Sequence, residues 1–173
     1  MARRNRASLR EYQTAVAERL RNLSLQEASA SSMLGFVAGD MRWVLNLRDV
    51  AEVLPVPVMM PIPLTLPYFT GVCNVRGNLF GVVDFSAFIG RGAVPPGVEN
   101  RLLLLPSALV QGAALLITRM AGLRNPESFV SLERAPSTPD WIAHRYRDQE
   151  GTEWQELNVT ALVQHELFLN VGR

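Results

Sequence analysis

The spacing of apolar residues changes near Met33. Before it, Leu9, Tyr12, Val16, Leu20 and Leu23 recur at helical spacing, with Arg10, Glu11, Glu18, Arg19 and Arg21 around them, which predicts a helix with one apolar face. That face would serve either a partner or the chain's own body. After Met33, short apolar runs alternate with glycine, proline and polar pairs, the pattern of strands and turns. Leu34–Val37 and Trp43–Leu47 flank Gly39-Asp40 and predict a hairpin. Val72–Val75 and Leu79–Val83 flank Arg76-Gly77-Asn78 and predict another, with Gly77 supplying left-handed backbone. Arg48–Leu54 reads as a short helical or bent segment stopped by Pro55, and five prolines from Pro55 to Pro67 predict an irregular extended route. Leu102–Leu105 and Ala113–Ile117 are further strand-sized runs, Asn125 to Asp140 reads as an exposed excursion, and Tyr146 to Trp154 as a third hairpin.

Two passages echo two earlier ones. Val44–Val53 matches Ala114–Leu123, and Val83-Asp84-Phe85-Ser86-Ala87-Phe88-Ile89 matches Leu157-Asn158-Val159-Thr160-Ala161-Leu162-Val163. In the second pair Asp84 and Asn158 sit where a side-chain oxygen would cap a helical turn. The shared order predicts a duplication. Each half is too short for a large sheet, which favours two small closed β-barrels side by side, and the groove between them would suit a helical partner. The expected division is a helical extension and linker over residues 1–32 and a β body over 33–173, in halves of roughly 33–97 and 98–173 with strand exchange between them left open.

Composition narrows the function. The chain has 173 residues, 48% hydrophobic, with a net charge of +1 and one cysteine, Cys73. Every cation is Arg. The basic N-terminus has no apolar core behind it, so no signal peptide is expected, and a lone cysteine fits a reducing compartment. His144 and His165 have no Cys or Glu at metal-ligand spacing, no nucleophile elbow or phosphate loop occurs, and the three tryptophans are not interleaved with a basic stripe. The expectation is a cytoplasmic protein that is not an enzyme, with no metal, no cofactor, no nucleic acid and no membrane insertion.

Gly71-Val72-x-Asn74-Val75-Arg76-Gly77-x-Leu79-x-x-Val82-x-Asp84 resembles the signature of the CheW-like coupling proteins. Phe36-Val37-x-Gly39 through Val50-x-Glu52-Val53-Leu54 looks like that family's opening, and Leu102–Leu123 like the start of its second half; the match runs from about Met33 to Phe168. The N-terminal extension and the Asp84–Gly90 ending look like the PilI-type members of type IV pilus (twitching motility) systems. The resemblance implies a mainly β fold of two intertwined five-stranded SH3-like barrels. It also implies a non-catalytic adaptor that couples methyl-accepting chemoreceptors to the regulatory domain of a CheA-type histidine kinase, cytoplasmic but recruited to membrane-bound receptor arrays. Carried over by position, Arg76, Val50, Glu52, Asn74, Leu116 and Ile117 would contact the receptor's cytoplasmic tip, with Gly71, Gly77, Asp84 and Asn158 as turn and cap residues. Two positions depart from the family pattern: Gly81 stands where Pro is usual and Thr118 where Asp is common. The other readings are Arg76 as a turn residue facing water, a module of the same fold for another signalling protein, and an enzyme of unknown class.

Overall fold

The computed structural model describes residues 32–173, so the expected N-terminal helix lies outside the described residues. In order the strands are β1 (Met33–Ala38), β2 (Met41–Asn46), β3 (Glu52–Pro55), β4 (Met59–Met60), β5 (Phe69–Val75) and β6 (Asn78–Asp84). Helix α1 (Phe85–Phe88) follows, then β7 (Arg101–Leu104), β8 (Ala113–Ile117), β9 (Arg119–Arg124), β10 (Val130–Leu132), β11 (Ile142–Arg147) and β12 (Glu153–Leu157). Helices α2 (Val159–Gln164) and α3 (Glu166–Leu169) close the chain. The three expected hairpins are β1–β2, β5–β6 and β11–β12.

The strands form two six-stranded sheets, ordered β10-β11-β12-β2-β1-β9 and β4-β5-β6-β8-β7-β3. The two orders are the same plan written from the two halves of the chain. Each sheet takes its outer strands from one half and one hairpin from the other: β1–β2 lies beside β12, and β7–β8 beside β6. The junctions between halves, β12 with β2 and β6 with β8, are parallel, whereas every other strand pair is antiparallel. The sixth strand in each sheet, beyond the five expected, is a short edge piece, β4 or β10.

Alternation explains why β7 and β8 read as unbroken apolar runs. Leu102, Leu104, Ala114 and Leu116 turn into a cluster with Cys73 and Val82, which also touches Leu54 from β3 and Met59 from β4. Leu103, Leu105, Ala113, Leu115 and Ile117 turn the other way, into the central core with Phe36, Trp43, Phe85 and Leu157. Strands buried on both faces need no polar positions. The first sheet repeats this on a smaller scale, with Val44 and Trp154 in a third cluster and Trp43 and Leu45 in the central one.

Both caps form as expected. Asp84, 4% exposed, accepts from the Ala87 N–H (3.0 Å) and the Val94 N–H (2.7 Å). Asn158 accepts from the Ala161 N–H (3.0 Å). Three other readings are corrected. Of the Arg48–Leu54 segment only Arg48 and Asp49 are helical, in the single 3-10 turn Leu47–Asp49; Glu52–Pro55 is β3, with Pro55 at the end of an edge strand, where a missing N–H is tolerated. The excursion after Asn125 contains β10, which pairs with β11. Gly71 is inside β5, not at a turn. It sits at a bulge with φ 131°, and a Cβ there would stand 2.2 Å from the Met60 carbonyl oxygen.

That close approach sets an expectation. Gly71→Ala must displace backbone as well as strain φ, and should cost about 3 kcal/mol or more, roughly 6 °C or more in Tm. Gly77→Ala meets nothing within 4 Å and bears only the strain of φ 87°, about 1 kcal/mol. Thermal unfolding followed by circular dichroism checks both, and equal losses would refute the packing argument. The β11–β12 turn supplies a pH test. Asp148 accepts from Trp154 Nε1 (2.8 Å), the Thr152 N–H (2.8 Å) and the Glu150 N–H (3.0 Å). These bonds, the indole's first, hold its carboxyl below the usual aspartate range. A depressed folded pKa stabilises above the ordinary value and is lost as pH falls through the folded one. Asp148→Ala should therefore lower Tm at neutral pH, and the gap to the parent should narrow on acidification.

Candidate functional site

The β5–β6 turn is built by Arg76 and Gly77, with φ of 52° and 87°, the two left-handed positions of a type I′ hairpin. Asn74, next to the turn, accepts from the Gly77 N–H (2.9 Å) and so locks it. Arg76 is a non-glycine residue in left-handed backbone, a conformation that persists where its surroundings fix it. Its guanidinium reaches Glu52 on β3, donating Nη1 to Oε2 at 2.7 Å and Nη2 to Oε1 at 2.6 Å. This is a two-pronged pair, and the planar fork restricts the relative orientation of both groups.

β3 is the outermost strand on one side of its sheet, while β5 is next to the outermost on the other. The Arg76–Glu52 contact therefore draws the hairpin tip and the far edge together, as the shared cluster of Leu54, Met59 and Val82 does inside. The Arg76 side chain is 75% exposed and that of Glu52 32%. An ion pair so wet adds at most about 1 kcal/mol to stability. Its evident consequence is position: a cation held out from the body on a stiff turn.

Beside the pair lies a cleft of about 470 Å³, lined among others by Glu52, Leu79, Phe80, Leu104 and Gln111. One wall comes from β3 and β6 and the other from the β7–β8 connection. The parallel β6–β8 junction joins these walls, and the Gly81 N–H donates to the Gly112 carbonyl at 2.8 Å. A proline at position 81 would have no N–H to give there. Leu79, in the lining, is an exposed apolar residue.

The predicted contact residues divide. Arg76 and Glu52 are brought together, and Asn74 is exposed beside them with its side chain engaged in the turn. Val50 is half-buried against the central core, next to Ala51 of the cleft wall. Leu116 and Ile117 are 7% and 0% exposed, Leu116 in the β7–β8 cluster and Ile117 in the central core. Their burial removes them as surface contacts: β8 is the centre of a sheet covered on both faces, and only its loop ends reach the surface. Sequence reasoning missed Leu79, Phe80, Leu104 and Gln111, which no local pattern joins because pairing across the duplication assembles them. Only the exposure expected of Leu79 on a hairpin next to Arg76 offered a signal.

The cysteine and the two histidines lie outside the cleft lining. Cys73 is enclosed in the core, and burial pushes its thiol up. His165 caps α3 through Nδ1, accepting from the Leu167 N–H at 3.3 Å, while His144 lies against Tyr146. Among the described residues no three metal-ligating side chains converge, and no helix is long and apolar enough to cross a membrane.

Comparison with known proteins agrees with this architecture. Protein PilI of Pseudomonas aeruginosa is 31% identical over 154 residues, covering 85% of this chain and 84% of its own. A chemotaxis protein CheW of Rhizobium meliloti is 32% identical over 72 residues, 42% of this chain and 46% of that one, and Protein FrzA of Myxococcus xanthus is 30% identical over 84 residues, 49% and 52% of the two. The crystal structure of the scaffolding protein TtCheW from Thermoanaerobacter tengcongensis superposes with a TM-score of 0.64 at 18% identity, over 75% of this chain and 85% of that one, a likeness of fold. The family model of the CheW-like domain matches residues 32–167, and the chain belongs to that family of coupling and scaffold proteins.

Proposed function

We propose that this protein is a non-catalytic adaptor that couples a chemoreceptor's cytoplasmic helical tip to the regulatory domain of a CheA-type histidine kinase, in a system controlling type IV pilus twitching motility. The observation that carries this is the Arg76–Glu52 pair beside a cleft of mixed polar and apolar lining, in which Leu79 and Phe80 supply apolar surface. The pilus assignment leans on the similarity to PilI over most of both chains.

The adaptor works by geometry. A helical tip lies along the cleft with its apolar side on Leu79 and Phe80, while a carboxylate on its flank takes up the exposed donors of Arg76. Glu52 sets the guanidinium's angle beforehand, so less side-chain freedom is lost on docking than from a mobile loop. The kinase domain binds elsewhere on the two-sheet body, and the complex shifts the kinase's own equilibrium by holding it beside the receptor. The two sheets curl about their own clusters as the five-stranded barrels expected of the family, each extended by its edge strand.

Arg76→Ala should weaken binding of a receptor tip fragment by more than tenfold, a loss of about 2 kcal/mol. Its Tm should shift by only about 2 °C, as befits an exposed ion pair. The swapped variant Arg76→Glu with Glu52→Arg should restore Tm but not receptor binding; restoration of both would assign the pair a purely structural role. Titration calorimetry with the fragment reads the binding. Retention of the kinase regulatory domain in a pull-down checks the other partner, and its absence would favour a module for a different signalling protein.

A further inference from the structure

Exposed apolar side chains gather along one edge of the second sheet. Met60-Pro61-Ile62-Pro63-Leu64 is an unbroken run of exposed residues that starts on β4, and Val58 is exposed just before it. The run is fixed in place. Gly71 of β5 lies against the Met60–Pro61 backbone, and the Thr65 hydroxyl donates to the Ile62 carbonyl at 2.8 Å. Thr65 bridges to Gly172, and the Leu64 carbonyl accepts from the Arg173 N–H at 2.9 Å. The Tyr68 hydroxyl donates to the Leu167 carbonyl. The closing segment of the chain therefore runs alongside, with two more exposed leucines, Leu167 and Leu169 of α3.

Leu64 is the telling member. It holds φ 59°, left-handed backbone that glycine or asparagine adopts readily and leucine only at a cost, and it is 80% exposed. A large apolar side chain kept on strained backbone and left in water serves neither the turn nor the core, and marks a surface for contact. The duplication supplies a comparison within the same chain. β10 holds in the first sheet the place that β4 holds in the second, and it runs into Glu133 and Arg134, exposed charges of the kind that keep a sheet edge single. The other two edge strands also carry charge, Arg119 and Arg124 on β9 and Glu52 on β3. From Val53 to Val75, by contrast, there is no Asp, Glu, Arg or His, and there is none from Leu167 to Gly172. β4 is the uncharged edge of the four.

We propose that the β4 edge, with Met60, Ile62 and Leu64 as its anchors, is where two copies of this chain meet about a two-fold axis. Such a contact sets one patch against itself, so that any charge on it would lie near its own image. A surface without charge meets its copy with no repulsion and no stranded ion, which singles out a second copy as the occupant. The outer edge of β4 has no partner among the described residues. Pairing of main chains across the axis cannot run on past β4, because Pro61 and Pro63 have no N–H to give. The contact is therefore made by side chains and closes at two copies. It uses neither Arg76 nor Glu52, so it stands apart from the receptor reading.

Sedimentation velocity of the full chain, from about 1 to 300 µM, should show a monomer passing to a dimer by mass action. Salt at about 1 M, where screening acts over ~3 Å, should leave the dimer in place. Leu64→Glu, a change at an exposed site, should weaken association more than tenfold, whereas Leu123→Glu on the β9 edge should leave it unchanged. Leu64→Asn separates contact from conformation: it suits left-handed backbone, so it should raise the Tm of the dilute monomer while also weakening association more than tenfold. A parent that stays monomeric across the range would overturn the proposal. So would a dimer that Leu64→Glu leaves intact, one that dissolves in salt, or particles that grow beyond two copies. A monomeric parent whose retention of the kinase regulatory domain is lost with Leu64→Glu would make that partner the occupant instead, and would overturn it too.

Discussion

The parallel junctions between β6 and β8 and between β12 and β2 are the constraint on which the structure depends. Each joins a hairpin from one half of the chain to a strand from the other, so neither half can complete a sheet alone. The hydrogen bonds at these junctions form only when residues some thirty to over a hundred positions apart meet, and the apolar runs that make them are covered on both faces. Pairing and burial therefore arrive together. A hairpin that left its junction would expose two apolar faces at once, and that couples the two sheets into one cooperative body.

The caps extend the same logic to the ends of those strands. β6 runs into Asp84 and β12 into Asn158, and in each case the last residue of the junction strand's segment turns the chain into a short helix. Asp84 has the heavier duty. It is buried, and its second oxygen takes the Val94 N–H, tying down the loop that leads to the second half. An amide at that position has one acceptor oxygen, so it cannot accept both bonds through separate oxygens. Asn158 is exposed and needs to satisfy only its own helix, which is why the milder residue suffices there.

Much of this was legible in the residues because the signals were local. Alternation, the Gly39-Asp40 and Arg76-Gly77 turns, and the cap residues each act within a few positions, and the repeat disclosed that one plan was used twice. What was misread depended on distance. Leu116 and Ile117 carry the same side chains whether they line a groove or fill a core, and only the placement of β8 between β6 and β7 decides. The resemblance implies a turn or cap role for Gly71, whereas its reason is the Met60–Pro61 backbone lying across it. β3 was misread because three-residue helical turns and edge strands share an absence of strong pattern, and the partner that makes it a strand, β7, is fifty residues away. The cleft is non-local in the same way.

The Arg76–Glu52 pair shows how a contact of little energetic weight can still matter. Left alone, a guanidinium on an exposed turn samples many rotamers, and fixing it on binding costs about 0.5–1.5 kcal/mol. The carboxylate of Glu52 removes part of that cost in advance, at the expense of competing for the same donors. The competition is limited because Arg presents five N–H groups and Glu52 engages two of its nitrogens, leaving donors on the open side for a second acceptor. A lysine could not divide itself this way, since its ammonium is a point charge without a fixed plane. The left-handed backbone of Arg76 belongs to the same device: the strain of that turn aims the side chain across the sheet's open side toward β3, and a turn of the opposite hand would splay the strands and aim it elsewhere. Orientation, more than attraction, is what the pair contributes.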